Sequence, residues 1–252
     1  MKKRKNKESL VSISAIREFA AAGRQIVGSA PVGYNGTAAW LMNMGEAFNV
    51  PKAQVAAAQN AFLPAIAAAL KAAPIKGTIT LSGYEGSELL VARLLVESGA
   101  DVPYVGTACP KTQWSADDAA WLESHGVKVV YRASLEQDCA AVDAIKPDIA
   151  IGTTPVVQHA KERGIPALYF TNLISARPLM GPAGAGSLAQ VVNAAIAGKE
   201  KMDKMRAFFE GVGHGDTAGV WEGSPNLRPD FRAQHQKKLD KMARAAKAQE
   251  MI

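Results

Sequence analysis

Residues 75–107 read IKGTITLSGYEGSELLVARLLVESGADVPYVGT, and this stretch decides the fold. Gly77–Leu81 is a short run rich in β-branched and apolar residues, which predicts a buried strand. Ser87–Ser98 places its apolar residues at helical spacing and stops at Gly99, which predicts an amphipathic helix ended by a glycine C′ residue. Val102–Val105 returns to strand composition. A strand, a helix and a second strand at these lengths predict a βαβ unit with parallel strands.

The alternation continues downstream. Helices are expected at Ser115–Ser124, Ser134–Ile145 and Pro155–Arg163, and strands at Val127–Tyr131, Asp148–Gly152 and Ala167–Thr171. Gly126 and Gly164 follow two of these helices as C′ candidates, and Ser115 and Ser134 stand at N-cap positions. The fold class is therefore α/β, a Rossmann-like doubly wound parallel sheet followed by C-terminal helices. Upstream, Gln25–Ser29 is a candidate strand. Pro51–Ala73 is an alanine-rich helix that Pro64 should kink or split. Downstream, Ser187–Ala197 and Lys199–Glu210 read as helices joined at Gly198, residues 211–230 as a Gly/Pro-rich link, and Phe231–Ala248 as a basic helix. Residues 1–12 read as a disordered basic start.

The formal charge of +6 is unevenly spread. Residues 1–7 hold five Lys/Arg and no acid, and residues 228–252 hold seven against three acids. Taking these from the totals of 29 and 23 leaves 17 basic and 20 acidic residues in 8–227, a net of −3. The basicity belongs to the ends, so a nucleic-acid-binding face is not expected. The ends read as solvated, or as docking on an acidic partner. No uninterrupted apolar run approaches the roughly 18–20 residues of a membrane span, and no secretory signal follows the basic start, so a cytoplasmic protein not integral to a membrane is expected.

Cys109 and Cys139 are the two cysteines, and the four histidines (125, 159, 214, 235) lack ligand spacing. Such sparse thiols fit a reducing compartment, and two alone cannot hold a four-cysteine cluster. No metal-binding or catalytic set is therefore assigned.

In an open parallel sheet, ligands bind beyond the carboxyl ends of the strands. Those positions here are Ser82–Glu85, Gly106–Lys111, Gly152–Thr154 and Asn172–Arg177. Ordinary turn chemistry explains each loop singly. Together they form one rim, whose candidates for contacting substrate or a neighbouring chain are Glu85, Cys109, Lys111, Asn172 and Arg177. Cys109 has two readings: a thiolate favoured by nearby Lys111, or a buried structural thiol. Gly181–Ser187 (GPAGAGS) has the glycine spacing of a phosphate loop but lacks its lysine, so close backbone packing is the better reading.

Five long stretches carry a resemblance: Arg17–Gly33, Gly77–Ser115, Tyr131–Asp138, Pro147–Ile196 and Phe208–Gly223. They resemble the Y-subunit family of chlorophyllide a reductase, within the nitrogenase component 1-like proteins. The likeness runs from about Ile16 to the C-terminus. It implies subunits of three stacked Rossmann-like domains. Subunits Y and Z together form a heterotetramer that holds a [4Fe-4S] cluster. A separate ATP-dependent iron protein, subunit X, delivers electrons drawn from ferredoxin, and ATP binds there. The implied reaction reduces the C7–C8 double bond of chlorophyllide a in bacteriochlorophyll biosynthesis.

The resemblance also implies that the family's cluster cysteines lie in an N-terminal domain with no counterpart here. The opening MKKRKNKESLVSIS does not resemble the family. The expectation is a truncated subunit, from an interrupted gene or a misplaced start, that is inactive alone. The alternative is a non-catalytic binding or assembly module derived from that subunit. The expected division is residues 13–74 as the end of a preceding domain with connecting helices, 75–200 as the Rossmann-like domain, and 201–252 as a helical extension.

Overall fold

A computed structural model describes residues 17–27 and 30–208, with side-chain environments to residue 204. Helix α1 spans Gly33–Ala47 and α2 spans Lys52–Ala72. The sheet alternation follows: β1 Thr78–Gly83, α3 Glu88–Glu97, β2 Asp101–Thr107, α4 Ala116–Ser124, β3 Lys128–Tyr131, α5 Leu135–Ile145, β4 Ile149–Gly152, α6 Thr154–Glu162 and β5 Ala167–Tyr169. Then come α7 Phe170–Ser175, α8 Gly181–Ala197 and α9 Lys199–Phe208. The described residues up to Lys199 form one compact unit. A second unit begins at Glu200, and in its described part Lys204 pairs with Glu200 one turn away along α9.

All five strands are parallel, in the order β3-β2-β1-β4-β5. Leu81 aligns with Val105 on one side and Ile151 on the other, so the most apolar positions form a row across the sheet. Strand alternation sends Ile79, Leu81, Val105, Ile149 and Ile151 into a large core with Leu94, Leu95, Leu188 and Val192. A smaller cluster holds Ala150 with Val142, Val156 and Ala160 from α5 and α6. Both faces are covered, as a parallel sheet requires.

The local signals act as expected at most boundaries. Gly99, Gly126 and Gly164 adopt positive φ of 92°, 80° and 73° after their helices, a region costly for a side chain with Cβ. Ser134 caps α5, with Gln137 completing a capping box. Ser115 instead ends a 3₁₀ turn at Gln113–Ser115, and its hydroxyl accepts the Thr112 N–H at 3.2 Å. It gives α4 no side-chain cap.

Several expectations need correction. The last strand stops at Tyr169, and Phe170–Ser175 is helical because buried Phe170 and Leu173 pack at helical spacing. Pro64 does not split its helix, which runs through from Lys52 to Ala72. Leu63, Ile66 and Leu70 are buried around the proline, and this packing holds the backbone helical. That helix also has an 18-residue window of mean hydropathy 1.3, long and apolar enough to cross a bilayer by length and composition. Polar Gln59 and Asn60 conceal this when only unbroken apolar runs are counted. Finally, GPAGAGS forms the first turns of α8 rather than a loop. Gly184 packs so closely that a Cβ would lie 2.9 Å from Leu179 Cα, which bears out close packing there.

Residues 24–27 form no strand, while Gly28 and Ser29 lie outside the described residues. So do residues 1–12, the 211–230 link and the basic helix at Phe231–Ala248.

Helix α1 is held from a distance. Its N-cap, Val32, offers no side-chain acceptor. Glu97, at the end of α3, accepts the N–H groups of Tyr34 and Asn35, the latter at 3.0 Å. A carboxylate at the positive end of a helix is favourable, and here it docks α1 onto the sheet domain.

Three carboxyls without a basic partner in contact share a direction. Burial raises buried Glu88 and half-buried Glu97, and it raises Asp138 to about 6, with the Tyr104 hydrogen bond opposing and the Glu88 charge adding. A folded-state pKa above the unfolded one gives stability that is full below the unfolded value and is lost as pH rises through the folded value. Melting temperature is therefore expected to rise as pH falls from 7 towards 5. Asp138→Asn should flatten that dependence between about pH 4 and 6 and add about 2 kcal/mol at neutral pH. The amide still accepts the Tyr104 hydroxyl, now donated to Asp138 at 2.8 Å. Parallel pH profiles for the two proteins would refute this account.

Candidate functional site

The sheet order places the reversal between β1 and β4, because β2 and β3 extend to one side and β5 to the other. At their carboxyl ends lies a cleft of about 380 Å³, lined by Tyr84, Gly152, Thr153, Thr154, Tyr169, Thr171 and Asn172. The first loop supplies Tyr84, the end of β4 and start of α6 supply Gly152–Thr154, and the β5–α7 junction supplies the rest. This is where an open α/β sheet binds ligands.

The lining is aromatic and hydrogen-bonding. Tyr84 and Tyr169 are 48% and 38% exposed, so their rings are available to a ligand. Lys161 Nζ sits 5.5 Å from the Tyr169 ring centre. Thr153 caps α6 without a side-chain hydrogen bond, leaving its hydroxyl free of that role. Thr171 donates to Glu85 Oε1 at 2.7 Å, joining the loop after β1 to the start of α7 beyond the end of β4.

The rim residues separate into groups. Asn172 lines the cleft, and Glu85 joins it through Thr171. Lys111 is exposed beside Tyr131, with Nζ 6.0 Å from the ring centre. Arg177 donates to the Ser187 carbonyl at 3.4 Å, tying the α7–α8 connection to α8. Cys109 is buried, and its thiol donates to the Tyr84 carbonyl at 3.7 Å. Burial pushes that thiol up and the Glu88 charge adds to the rise, so the activated-thiolate reading loses to the structural one.

Tyr84, Thr153, Thr154, Tyr169 and Thr171 complete the cleft but were not singled out from sequence. Most belong to the loops after strands, so their positions were legible. Tyr169 and Thr171 were hidden inside an expected strand, where alternation gives no sign of a helix start.

A doubly wound parallel sheet with a cleft at its switch point defines a Rossmann-like domain. The chain belongs to the family of nitrogenase component 1 type oxidoreductases, whose model matches residues 11–197. Over 239 residues, 95% of the chain, it is 72% identical to the chlorophyllide reductase 52.5 kDa chain of Cereibacter sphaeroides. The 52.5 kDa chain of Rhodobacter capsulatus is 70% identical over the same length. The chain spans about half the length of these curated relatives, 48% of each. Among solved structures, nitrogenase Cp1 at pH 6.5 matches with a TM-score of 0.50 at 21% identity, covering 69% of this chain and 40% of that one. That likeness concerns the fold.

Proteins of this family generally bind iron–sulfur clusters. The described residues do not suit one. Cys109 lies just past the end of β2 facing the Tyr84 carbonyl, whereas Cys139 packs against the smaller core of Val142, Ala150, Val156 and Ala160. Burial raises both thiols, which disfavours the thiolates that ligate iron. Among the described residues, no three His, Cys, Asp or Glu side chains group as metal ligands.

Proposed function

We propose that this chain provides the C-terminal Rossmann-like part of the catalytic component of chlorophyllide a reductase. In this reading the assembly adds two electrons and two protons across the C7–C8 double bond of chlorophyllide a. Subunit Z completes the heterotetramer, a [4Fe-4S] cluster is ligated by residues outside this chain, and the ATP-dependent iron protein, subunit X, delivers ferredoxin electrons in the cytoplasm. The observation that carries the reading is identity of 72% and 70% to two chlorophyllide reductase chains across 95% of this sequence.

The cleft gives the reading its chemistry. The faces of Tyr84 and Tyr169 suit a flat conjugated ring, and the Thr and Asn groups suit polar substituents at its edge. Glu85 and Asn172 serve the pigment side, Lys111 faces a neighbouring subunit, and Cys109 and Arg177 hold the rim's backbone. Residues 13–74 belong to the end of a preceding domain, 75–200 form the domain around the cleft, and 201–252 extend it.

A chimera tests this. This sequence replaces the matching 48% of the Cereibacter chain. The chimera should assemble with subunit Z and reduce chlorophyllide a. In it, Asn172→Ala should raise the KM for pigment by about tenfold, the effect of losing one good hydrogen bond. A folded, assembled chimera that binds no pigment would overturn the proposal.

A further inference from the structure

We infer that Glu88 is a positioning residue for the cleft, its buried carboxylate holding the loop after β1 so that Tyr84 lines the cleft and Glu85 reaches Thr171. Glu88 is the first residue of α3 and is 0% exposed. One carboxylate oxygen accepts the Glu85 N–H at 2.7 Å. The other accepts the Gly86 N–H at 2.9 Å and the Thr107 hydroxyl at 2.9 Å. Thr107 ends β2, and its oxygen in turn accepts the Cys109 N–H at 3.2 Å. The Ala108 N–H also donates to the Gly83 carbonyl at 2.9 Å. A single side chain thus ties together the loops after β1 and β2.

Two features show that the carboxylate is specifically required. Both of its oxygens act as acceptors, and an amide supplies one acceptor only, leaving a backbone N–H facing an NH₂ group. Gly83 makes the space, since a Cβ there would lie 2.8 Å from Glu88 Cγ. Burying a carboxyl at this position is unfavourable in itself, and a packing role would be met by an apolar residue such as neighbouring Leu89. The bonds that offset the cost go to the loop that presents Tyr84 to the cleft and Glu85 to Thr171.

The identity of the ligand rests on the reading proposed above; the loop-holding role does not. The test uses the complete pigment-reducing assembly carrying Glu88→Gln, Thr107→Val or Gly83→Ala. Glu88→Gln should raise the KM for chlorophyllide a by about tenfold or more while kcat changes less than about threefold, matching loss of a charge-assisted hydrogen bond. Thr107→Val should move KM the same way by less, and Gly83→Ala should reproduce the effect by displacing the intact carboxylate. Hydrogen exchange at the Glu85 and Gly86 amides should quicken in Glu88→Gln, with the β1 amides unchanged. Unaltered KM and exchange would overturn the inference, and so would a lowered melting temperature with unaltered KM. If the unsubstituted assembly binds no pigment yet the exchange change persists, the ligand assignment falls and the loop-holding role stands.

Discussion

Supplied alone with the iron protein, ATP and a reductant, the 252-residue chain is expected to yield no reduced pigment and to bind no stoichiometric [4Fe-4S] cluster. The reason lies in the donors. A [4Fe-4S] cluster is held by about four thiolates, and this sequence has two cysteines. Those two sit in separate environments, one behind the cleft wall and one against the smaller core of α5, β4 and α6, and burial disfavours the thiolate of each. Without a cluster between the iron protein and the pigment, electrons have no route to the ring. Supplying the remaining half of a 52.5 kDa relative as a separate polypeptide should restore turnover. Product formed by this chain without that half, or cluster absorbance lost on Cys109→Ser, would refute the expectation.

Asp118→Ala should be strongly destabilising. Asp118 pairs with Arg93, and both side chains are only 7% exposed. The guanidinium also lies 4.8 Å from the centre of the Trp121 ring, so α3 and α4 are joined by ion pairing and ring contact together. Removing the carboxylate leaves a buried cation without its partner, which costs about 3–5 kcal/mol. For a domain near 200 residues this lowers the melting temperature by about 10 °C. Replacing both residues, as Arg93→Met with Asp118→Leu, should recover most of the loss, because the pair's attraction mainly offsets its own desolvation. If the single variant melts within about 2 °C of the parent, the pair is not acting as a buried unit.

Much of this protein is determined locally and was therefore legible in its sequence. Strand and helix periods fixed the βαβ alternation from β1 to α6, since each element's spacing reflects which of its sides meets the core. The turn glycines fixed where helices end, because only glycine enters the left-handed region cheaply. Ser134 and Gln137 fixed the start of α5 by reciprocal bonding within four residues. Even the cleft's neighbourhood could be placed, as the carboxyl ends of parallel strands.

What the sequence did not contain is who meets whom across long separations. The insertion of β1 between β2 and β4 sets the switch point, yet no single strand encodes its neighbours. Glu97 caps a helix that begins 64 residues earlier, and Arg93 finds Asp118 25 residues away. Glu88 reads as an ordinary first-turn acid of α3, but the fold buries it completely and turns its oxygens onto two loops. Lys111 and Arg177 read as rim residues for substrate or a neighbouring chain, and only the tertiary packing sets them beside Tyr131 and Ser187. Local periodicity and turn chemistry act over a few residues and so are written in the chain. Desolvation and partner choice depend on surfaces brought together only by the folded sheet, and the tertiary structure decided them.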